Sequence, residues 1–322
     1  MFTIDFQETP DSKWNERLLS SELGSVYQTK NFADAQMLIG GKPNYITILN
    51  SSGKIVGQLL ILSYGKFQNK GTFGKILGKI PGSKSQNYIW VYGPVIFDFE
   101  NPSEIKNSLK NFLVSKNWKL QGSNHPLSNE FLSDIGKPFK IKEKSTFLIN
   151  LSQTKDDIWK KMDNNSVRKN IRRSEERGVT IKKMSKSDFS LYLKIFEDTG
   201  KSTPFTSVEI AEKWWDFMEP VGHHGFLAYR DETIISGMAI TTFNNYVNEF
   251  GIVRSELDYS DKLYSQDLLK WKIIDWSKSE NFRYYDLTGV SPTSKNEKEL
   301  GIFRYKKKWG GELVKCSLVT LE

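Results

Sequence analysis

The sequence predicts an α+β fold built twice in one chain, and three collinear matches between its halves carry that reading. Residues 46–63 (ITILNSSGKIVGQLLILS) align without a gap on residues 226–243 (FLAYRDETIISGMAITTF), placing Ile55 over Ile235 and Gly57 over Gly237. YIWVYGPV, from Tyr88, matches YVNEFGIV, from Tyr246. A helix-like stretch then ends on Asn117-Trp118 in one half and on Asn281-Phe282 in the other. Each half therefore reads as three antiparallel strands, a helix and a further strand.

The elements follow in order from local pattern. In residues 46–63 apolar residues alternate around Asn50-Ser51-Ser52-Gly53, and in 226–243 around Arg230-Asp231-Glu232, two strand–turn–strand signatures. The Gly/Lys-rich residues 66–87 have no counterpart in the second half and read as a loop insertion. STFLINL, residues 145–151, reads as a strand closing the first half, which puts the seam near residue 150. Thr154, with Asp157 three residues on, is a capping pair that opens a helix. Helical character continues through residues 167–177 and stops at Gly178. There Arg168 and Arg172 share one face and Lys169 and Arg173 the next, while only Val167 and Ile171 offer an apolar stripe, so most of this helix is expected to be exposed. The two expected domains are 1–150 and 151–311.

Composition excludes several classes. A chain of 322 residues suits two domains, and 9 Trp, 13 Tyr and 20 Phe supply a sizeable core. Mean hydropathy is −0.50, and no apolar run reaches the ~18–20 residues of a membrane span. The opening MFTIDFQETP has neither the basic nor the apolar region of a secretory signal, so the expected location is the cytoplasm. Cys316 is the single cysteine, which excludes an intramolecular disulfide framework and a cysteine-cluster zinc site.

Net charge is +8 and is unevenly spread. Residues 160–186 hold ten basic residues against Asp163, Glu175 and Glu176, and Arg304, Lys306, Lys307 and Lys308 form a second group. Two basic patches on a slightly acidic body suit a polyanion such as RNA, nucleotide or phosphate. A solvated helix face accounts equally for one such run.

Familiar catalytic constellations are missing. His125, His223 and His224 are the only histidines, and the adjacent pair reads as a surface turn, without metal-ligand spacing. No GXSXG element occurs, and the glycines of residues 71–82 lack a phosphate-loop ending. The most specific segment is residues 284–311, YYDLTGVSPTSKNEKELGIFRYKKKWGG, read as a strand, a Gly turn, a polar loop and then Phe303-Arg304-Tyr305-Lys306 ahead of Trp309-Gly310-Gly311. A lysine fixed between aromatics can stay charged and stabilise an oxyanion developing on a carbonyl in acyl transfer.

Five pieces of sequence, in this order, resemble the FemABX-type aminoacyltransferases. Tyr27-Gln28 with Phe32-Ala33 is similar to the family's Q-x-x-x-W-A element, and Gly93-Pro94 with Asp98 to its R-G-P-x-x-D strand. RKNIRRSEERGV, from Arg168, is similar to its R-x-x-I-R helix. Tyr285-Asp286-Leu287-Thr288-Gly289 is similar to Y-D-x-x-G, and Tyr305-Lys306 with Trp309-Gly310 to F-K-x-x-F-G. The resemblance implies two tandem GNAT-like domains, a last strand near residues 315–321 that returns to the first domain, and a monomer without a cofactor or metal. It implies transfer of an aminoacyl group from charged tRNA to an amine, the acceptor being a cell-envelope precursor such as a peptidoglycan intermediate at the inner membrane surface. Lys306 matches the lysine that stabilises the transition state. Arg168, Lys169, Arg172, Arg173, Asp286, Tyr305, Lys307, Lys308, Gln28 and Gln36 are the implied substrate-binding residues. The sequence departs from the family at Gln36, where the family has a lysine that contacts sugar-nucleotide phosphates, at Tyr92 (Arg) and at Phe32 (Trp). Two other readings stand beside this one: an acyl-CoA N-acyltransferase and a non-catalytic RNA-binding module. Against the first, residues 253–271 and 95–109 contain no glycine with which to hold a pyrophosphate.

Overall fold

The computed structural model describes residues 2–65, 87–128, 131–200 and 202–321. Residues 66–86, nearly the whole expected loop insertion, lie outside them. The chain divides into two compact units, residues 1–144 with 315–322, and residues 145–314. The division falls within a strand, between Lys144 and Ser145, where the sequence places the seam near residue 150.

The first unit opens with β1 (Thr3–Gln7), α1 (Trp14–Leu19) and α2 (Lys30–Met37). The expected hairpin follows as β2 (Lys42–Leu49) and β3 (Ile55–Tyr64), antiparallel with Ile46 opposite Leu59. Its turn is closed by the Asn50 side chain, which accepts from the backbone N–H of Ser52 at 3.1 Å and of Lys54 at 3.0 Å. β4 (Asn87–Trp90) then crosses through β5 (Val95–Ile96) and α3 (Pro102–Ser115) to a parallel partner, β6 (Lys119–Ser123). β7 (Lys140–Asn150) runs out of this unit, and the last strand, β13 (Glu312–Leu321), returns to it from Lys315 and pairs with β6 through residues 318–321. Ile46, Ile48, Leu59, Leu109 and Leu120 centre the core.

The second unit repeats that plan. After β7 come α4 (Lys155–Lys161), α5 (Lys169–Glu176), β8 (Val179–Lys183), α6 (Lys186–Asp198) and α7 (Val208–Met218). The second hairpin is β9 (His223–Arg230) and β10 (Thr233–Phe243), followed by β11 (Tyr246–Arg254). α8 (Glu256–Ser260) and α9 (Ser265–Ser279) lead to β12 (Tyr284–Val290), parallel to β11, and α10 (Glu297–Lys307) precedes β13. The sheet order is β7-β12-β11-β10-β9-β8. Both units thus join an antiparallel hairpin to a parallel pair with a helix in the crossover. The asparagines matched in sequence do the same job in each: Asn117 (φ 51°) and Asn281 (φ 65°) both take the left-handed conformation between crossover helix and strand.

Two expectations need correction. Residues 154–177 are not one helix: Met162 is extended (ψ 145°) and ends α4, and Asp163 starts afresh by accepting from the Ser166 N–H at 2.8 Å. A π-helical turn, Asn164–Arg168, then leads into α5, and Gly178 (φ 71°) closes it as expected. The His223-His224 pair is not a surface turn either. It opens β9, and His223 is fully buried among Phe189, Trp214, Trp215 and Phe250, because the strand pattern carries it to the inner face.

Candidate functional site

Lys306 sits in the last turn of α10 with its ammonium held by the end of β12. α10 starts where it does because the Asn296 side chain caps it, accepting from the N–H of Lys298 at 2.9 Å and of Glu299 at 3.3 Å. β12 carries one extra residue against β7: Asp286 lies opposite Leu148, but Gly289 lies opposite Thr146. The bulge puts Thr288 in the left-handed region at φ 63°. Lys306 Nζ donates to the Thr288 carbonyl at 3.2 Å and to its hydroxyl at 3.0 Å, and the Gly289 carbonyl lies at 3.5 Å. The last contact is long, so one N–H direction stays available for an incoming oxygen. The space beside Gly289 is open, since a Cβ there would meet nothing within 4 Å.

Asp286 is why this cradle holds its shape. It is fully buried, and it accepts from the Thr288 N–H at 2.7 Å, the Tyr246 hydroxyl at 2.7 Å, the Asn248 side-chain amide at 3.0 Å and the Thr146 hydroxyl. Four donors from two strands and the bulge offset the desolvation of its charge. Such a carboxylate fixes Thr288, and through it Lys306, and has no free face for a substrate. The substrate contact expected of Asp286 is therefore not open in this geometry: its carboxylate is turned inward onto Thr288 and its strand neighbours.

Behind Lys306 lies a second set of buried charges. Lys270 of α9 is 1% exposed and pairs with Glu249 of β11 at 2.7 Å, and the Glu249 carboxylate also accepts from the Tyr285 hydroxyl at 3.1 Å. Lys270 Nζ lies 5.4 Å from the ring centre of Tyr305 and 5.2 Å from that of Trp309, the aromatics flanking Lys306. Tyr305 donates to buried Asp267 at 2.8 Å, and Asn170 of α5 donates to the same carboxylate at 2.8 Å. Burial pushes the Asp267 carboxyl and the Tyr305 hydroxyl up from their ordinary values. Lys306 moves the other way. Burial draws it from 10.5 down to about 8, with Lys270 adding to the fall and Glu249 and Asp286 opposing it. An ammonium near that value keeps most of its charge at neutral pH and yields a proton more readily than an ordinary lysine.

The glycine pair after Trp309 serves close packing. A Cβ on Gly310 (φ +74°) would come 2.6 Å from the Lys161 carbonyl, and one on Gly311 would come 2.9 Å from the Leu148 carbonyl. A cavity of about 330 Å³ opens here, lined by Leu148, Ile149, Ile158, Lys161, Trp309 and Gly310 among others. The N–H of Asp163 donates to the Lys308 carbonyl at 2.8 Å, tying the π turn to the end of α10.

The other sequence-predicted residues scatter. Lys307 and Lys308 are exposed at the end of α10. Lys169 and Arg172 are exposed on α5, Arg173 is half-buried, and Arg168 ends the π turn with its Nε buried and without a hydrogen-bond partner. Arg172 lies over the Trp159 ring at 5.6 Å, and Arg173 over Tyr264 at 5.9 Å. Gln28 and Gln36 belong to the core of the first unit rather than to a substrate surface. Gln28 is fully buried, donating to the Val91 carbonyl at 2.7 Å and accepting from the Leu60 N–H at 2.7 Å. Gln36 is equally buried and accepts from the Tyr64 hydroxyl at 2.8 Å. Both face inward because α2 and the turn before it pack their polar side chains against β3. Sequence reasoning missed Glu249, Lys270, Asp267 and Thr288. One signal was present: Lys270 sits in Leu268-Leu269-Lys270-Trp271, a lysine inside an apolar run. Among the described residues no group of three or more His, Cys, Asp or Glu could hold a metal, and no helix is long and apolar enough to cross a membrane.

The sequence model of the FemAB family matches residues 133–211. No curated protein sequence matches the chain. Among solved structures the fold is similar to that of FemX, with a TM-score of 0.67 at 14% identity, over 97% of this chain and 96% of that one. It is similar to L-PGS from Bacillus licheniformis, with a TM-score of 0.59 at 12% identity, over 97% and 92%. A tandem GNAT protein from the clavulanic acid biosynthesis pathway gives a TM-score of 0.56 at 10% identity, over 100% and 98%. The tandem GNAT-like architecture expected from the motifs is therefore the fold of this chain.

Proposed function

We propose that this FemABX-type acyltransferase moves an aminoacyl group from charged tRNA to an amine on a cell-envelope acceptor, with Lys306 as the catalytic cation. The observation that carries the reading is the cradle: a lysine ammonium fixed by Thr288 and Gly289, beside open space, with burial holding it at about 8. Attack of an amine on an aminoacyl ester puts negative charge on the carbonyl oxygen. A fixed cation interacts with that charge more strongly in the transition state than in the ground state, which raises turnover. An amine nucleophile is reactive once neutral and needs no histidine beside it.

The donor is better matched by RNA than by coenzyme A. A pyrophosphate normally sits on free N–H groups at a helix N-terminus. At the start of α9 the Ser265 N–H is already taken by buried Asp258 at 2.9 Å, so a carboxylate occupies the place an anion would use. α5 instead offers Lys169, Arg172 and Arg173, two of them braced over aromatic rings, which suits phosphates and bases. Burial of Gln36 removes a polar contact expected for a sugar nucleotide, which favours an acceptor read through its amine. The test is to offer the protein a pool of charged tRNAs and, separately, acyl-CoAs, each with amine acceptors, and to follow loss of the acyl group. Consumption of acyl-CoA but not of charged tRNA would replace this donor.

A further inference from the structure

We propose that the buried Glu249–Lys270 ion pair is a positioning device for Lys306, holding its proton poised so that the same lysine both meets the oxyanion and relays a proton. The inference rests on the acyl-transfer reading and deepens it. Lys306 is surrounded from every packed element. β12 contributes Asp286 with the Thr288 and Gly289 carbonyls, and Tyr285. β11 contributes Glu249 and α9 contributes Lys270, while α10 itself adds Tyr305. The Glu249 and Lys270 side chains are 11% and 2% exposed, so solvent screens them little. A pair that served packing alone would be replaceable by apolar side chains without penalty. The Lys270 ammonium of this pair lies 5.4 Å and 5.2 Å from the ring centres of Tyr305 and Trp309, the aromatics on either side of Lys306 in sequence. A β-bulge aims Glu249 there: Ala239 lies opposite Gly251 but Ile240 lies opposite Glu249, so Phe250 is passed over.

The reaction needs such a group. Attack forms the C–N bond and moves the carbonyl electron pair onto oxygen, leaving a proton too many on nitrogen. Collapse re-forms the carbonyl and breaks the C–O bond to the donor's ester oxygen, which takes a proton from the Lys306 ammonium. The neutral lysine amine then takes the surplus proton from nitrogen, restoring the ammonium. One proton passes from amine to alcohol, and nothing else is consumed. A lysine at its ordinary 10.5 would give up its proton slowly, and a permanently neutral one would offer no charge to the oxyanion.

The two members of the pair pull Lys306 in opposite directions, which gives the test its sign. Glu249→Gln removes an anion that favours the charged lysine, so Lys306 should titrate about one pH unit lower. Lys270→Met removes a like charge, so Lys306 should titrate about one pH unit higher. Both should fold: Gln can still accept from Lys270 and Tyr285, and Glu249 in the second variant keeps the Tyr285 hydroxyl. The primary measurement is competitive acetylation of Lys306 by acetic anhydride against pH, read by mass spectrometry on the full chain. It needs no donor or acceptor. The second is the alkaline limb of single-turnover transfer from charged tRNA, which should move with the labelling curve. Opposite labelling shifts without transfer in any variant would leave the pair's role standing and remove the acyl-transfer reading. Folded single variants whose Lys306 labels like wild type would overturn the proposal. So would single variants that do not fold beside a Glu249→Gln/Lys270→Met protein that folds and labels like wild type. If only one single variant folds, its shift decides alone: the expected sign supports the proposal, and no shift overturns it.

Discussion

The two units share a plan and differ in what they bury. Among the described residues, the fully buried polar side chains of the first unit are neutral amides, hydroxyls and one histidine: Gln28, Gln36, Gln58, Gln121, Asn124 and His125 among them. The second unit buries Asp258, Asp267, Lys270 and Asp286 at equivalent depth. Neutral amides satisfy backbone groups at little desolvation cost; Gln28 does so by pairing with Leu60 and Val91. Buried ions cost several kcal/mol each before pairing and add little net stability even when paired. A fold that can be built with glutamines therefore does not need those carboxylates and that lysine. Asp267, Lys270 and Asp286 gather around the Tyr305–Lys306 segment, so on the proposed reading the second unit carries the chemistry and the first keeps the neutral version of the same scaffold.

The largest expected effect breaks or sustains that contrast directly. Lys306→Met keeps length and helix propensity while removing the charge, so the protein should fold normally. Losing one oxyanion donor costs on the order of 10²–10³ in turnover, about 3–4 kcal/mol. Steady-state kinetics should show kcat collapsing with the donor KM nearly unchanged, while exposed Lys307→Met and Lys308→Met alter mainly donor binding. Three variants with equal, small losses would make Lys306 one more surface cation.

A pair of substitutions sharpens the contrast next. Asp286→Ala strands the Thr288 N–H, the Tyr246 and Thr146 hydroxyls and the Asn248 amide, a loss of roughly 3 kcal/mol in stability. Gln28→Ala strands the Leu60 N–H and the Val91 carbonyl, a loss of about 2 kcal/mol. Denaturant unfolding should rank them so. The distinguishing readout is kcat of the folded fraction: it should fall for Asp286→Ala, because Thr288 no longer holds Lys306, and stay at wild type for Gln28→Ala. Equal kcat losses would mean that both units shape the site.

What sequence shows and what it hides divide along the range of the contacts involved. The hairpins, the left-handed asparagines 117 and 281, the Thr154 cap and the Gly178 stop are local, and each is legible from a few residues. Lys306 and the Tyr285–Gly289 segment are legible as a resemblance, although Asp286 acts inward on Thr288. The Glu249–Lys270 pairing is not, although Lys270 inside an apolar run hints at a buried cation, because the pairing depends on a bulge passing over Phe250 and on the packing of α9 against the sheet. His223 misleads for the same reason: a histidine pair in sequence says nothing about which face of a strand it will occupy until the register is known. Gln28 and Gln36 mislead because glutamine is chemically suited both to a substrate and to a backbone carbonyl.

Acid should affect both units through buried and half-buried histidines, one in the first and two in the second, a sensitivity separate from the charged cluster. Burial draws His125 of the first unit and His223 of the second down from 6.5 to about 3 each, and burial together with the nearby Lys183 charge draws His224 of the second down to about 4. Folded values below the unfolded value mean that neutrality stabilises the fold above pH 6.5. That stability is lost as pH falls from 6.5 towards 3. Each histidine contributes a slope of about 1.4 kcal/mol per pH unit in that window. Thermal unfolding between pH 7 and 4 should show the decline, and His223→Phe, which suits the aromatic surroundings, should remove about a third of the histidine share of it. An unchanged slope in that variant would place the acid sensitivity elsewhere.

The smallest expected effect concerns α5 and the RNA. Arg172 and Arg173 lie over Trp159 and Tyr264, contacts that hold the guanidinium groups in place without neutralising them. A phosphate meeting such a group gains from its preorganisation, but each site is near the surface and contributes little alone. Arg172→Ala and Arg173→Ala together with Arg168→Ala should leave the fold intact, since Ile171 and Ser174 form the buried face of this helix and the buried Nε of Arg168 makes no hydrogen bond that would be lost. tRNA affinity should weaken, and the slope of log K against log salt should flatten by about one for each phosphate no longer neutralised. kcat at saturating donor should hold, because none of the three touches the Lys306 cradle. Filter binding across a salt series checks the first expectation and single-turnover transfer the second. An unchanged salt slope would make α5 a solvated face, leaving the second unit's distinction to the buried ions alone.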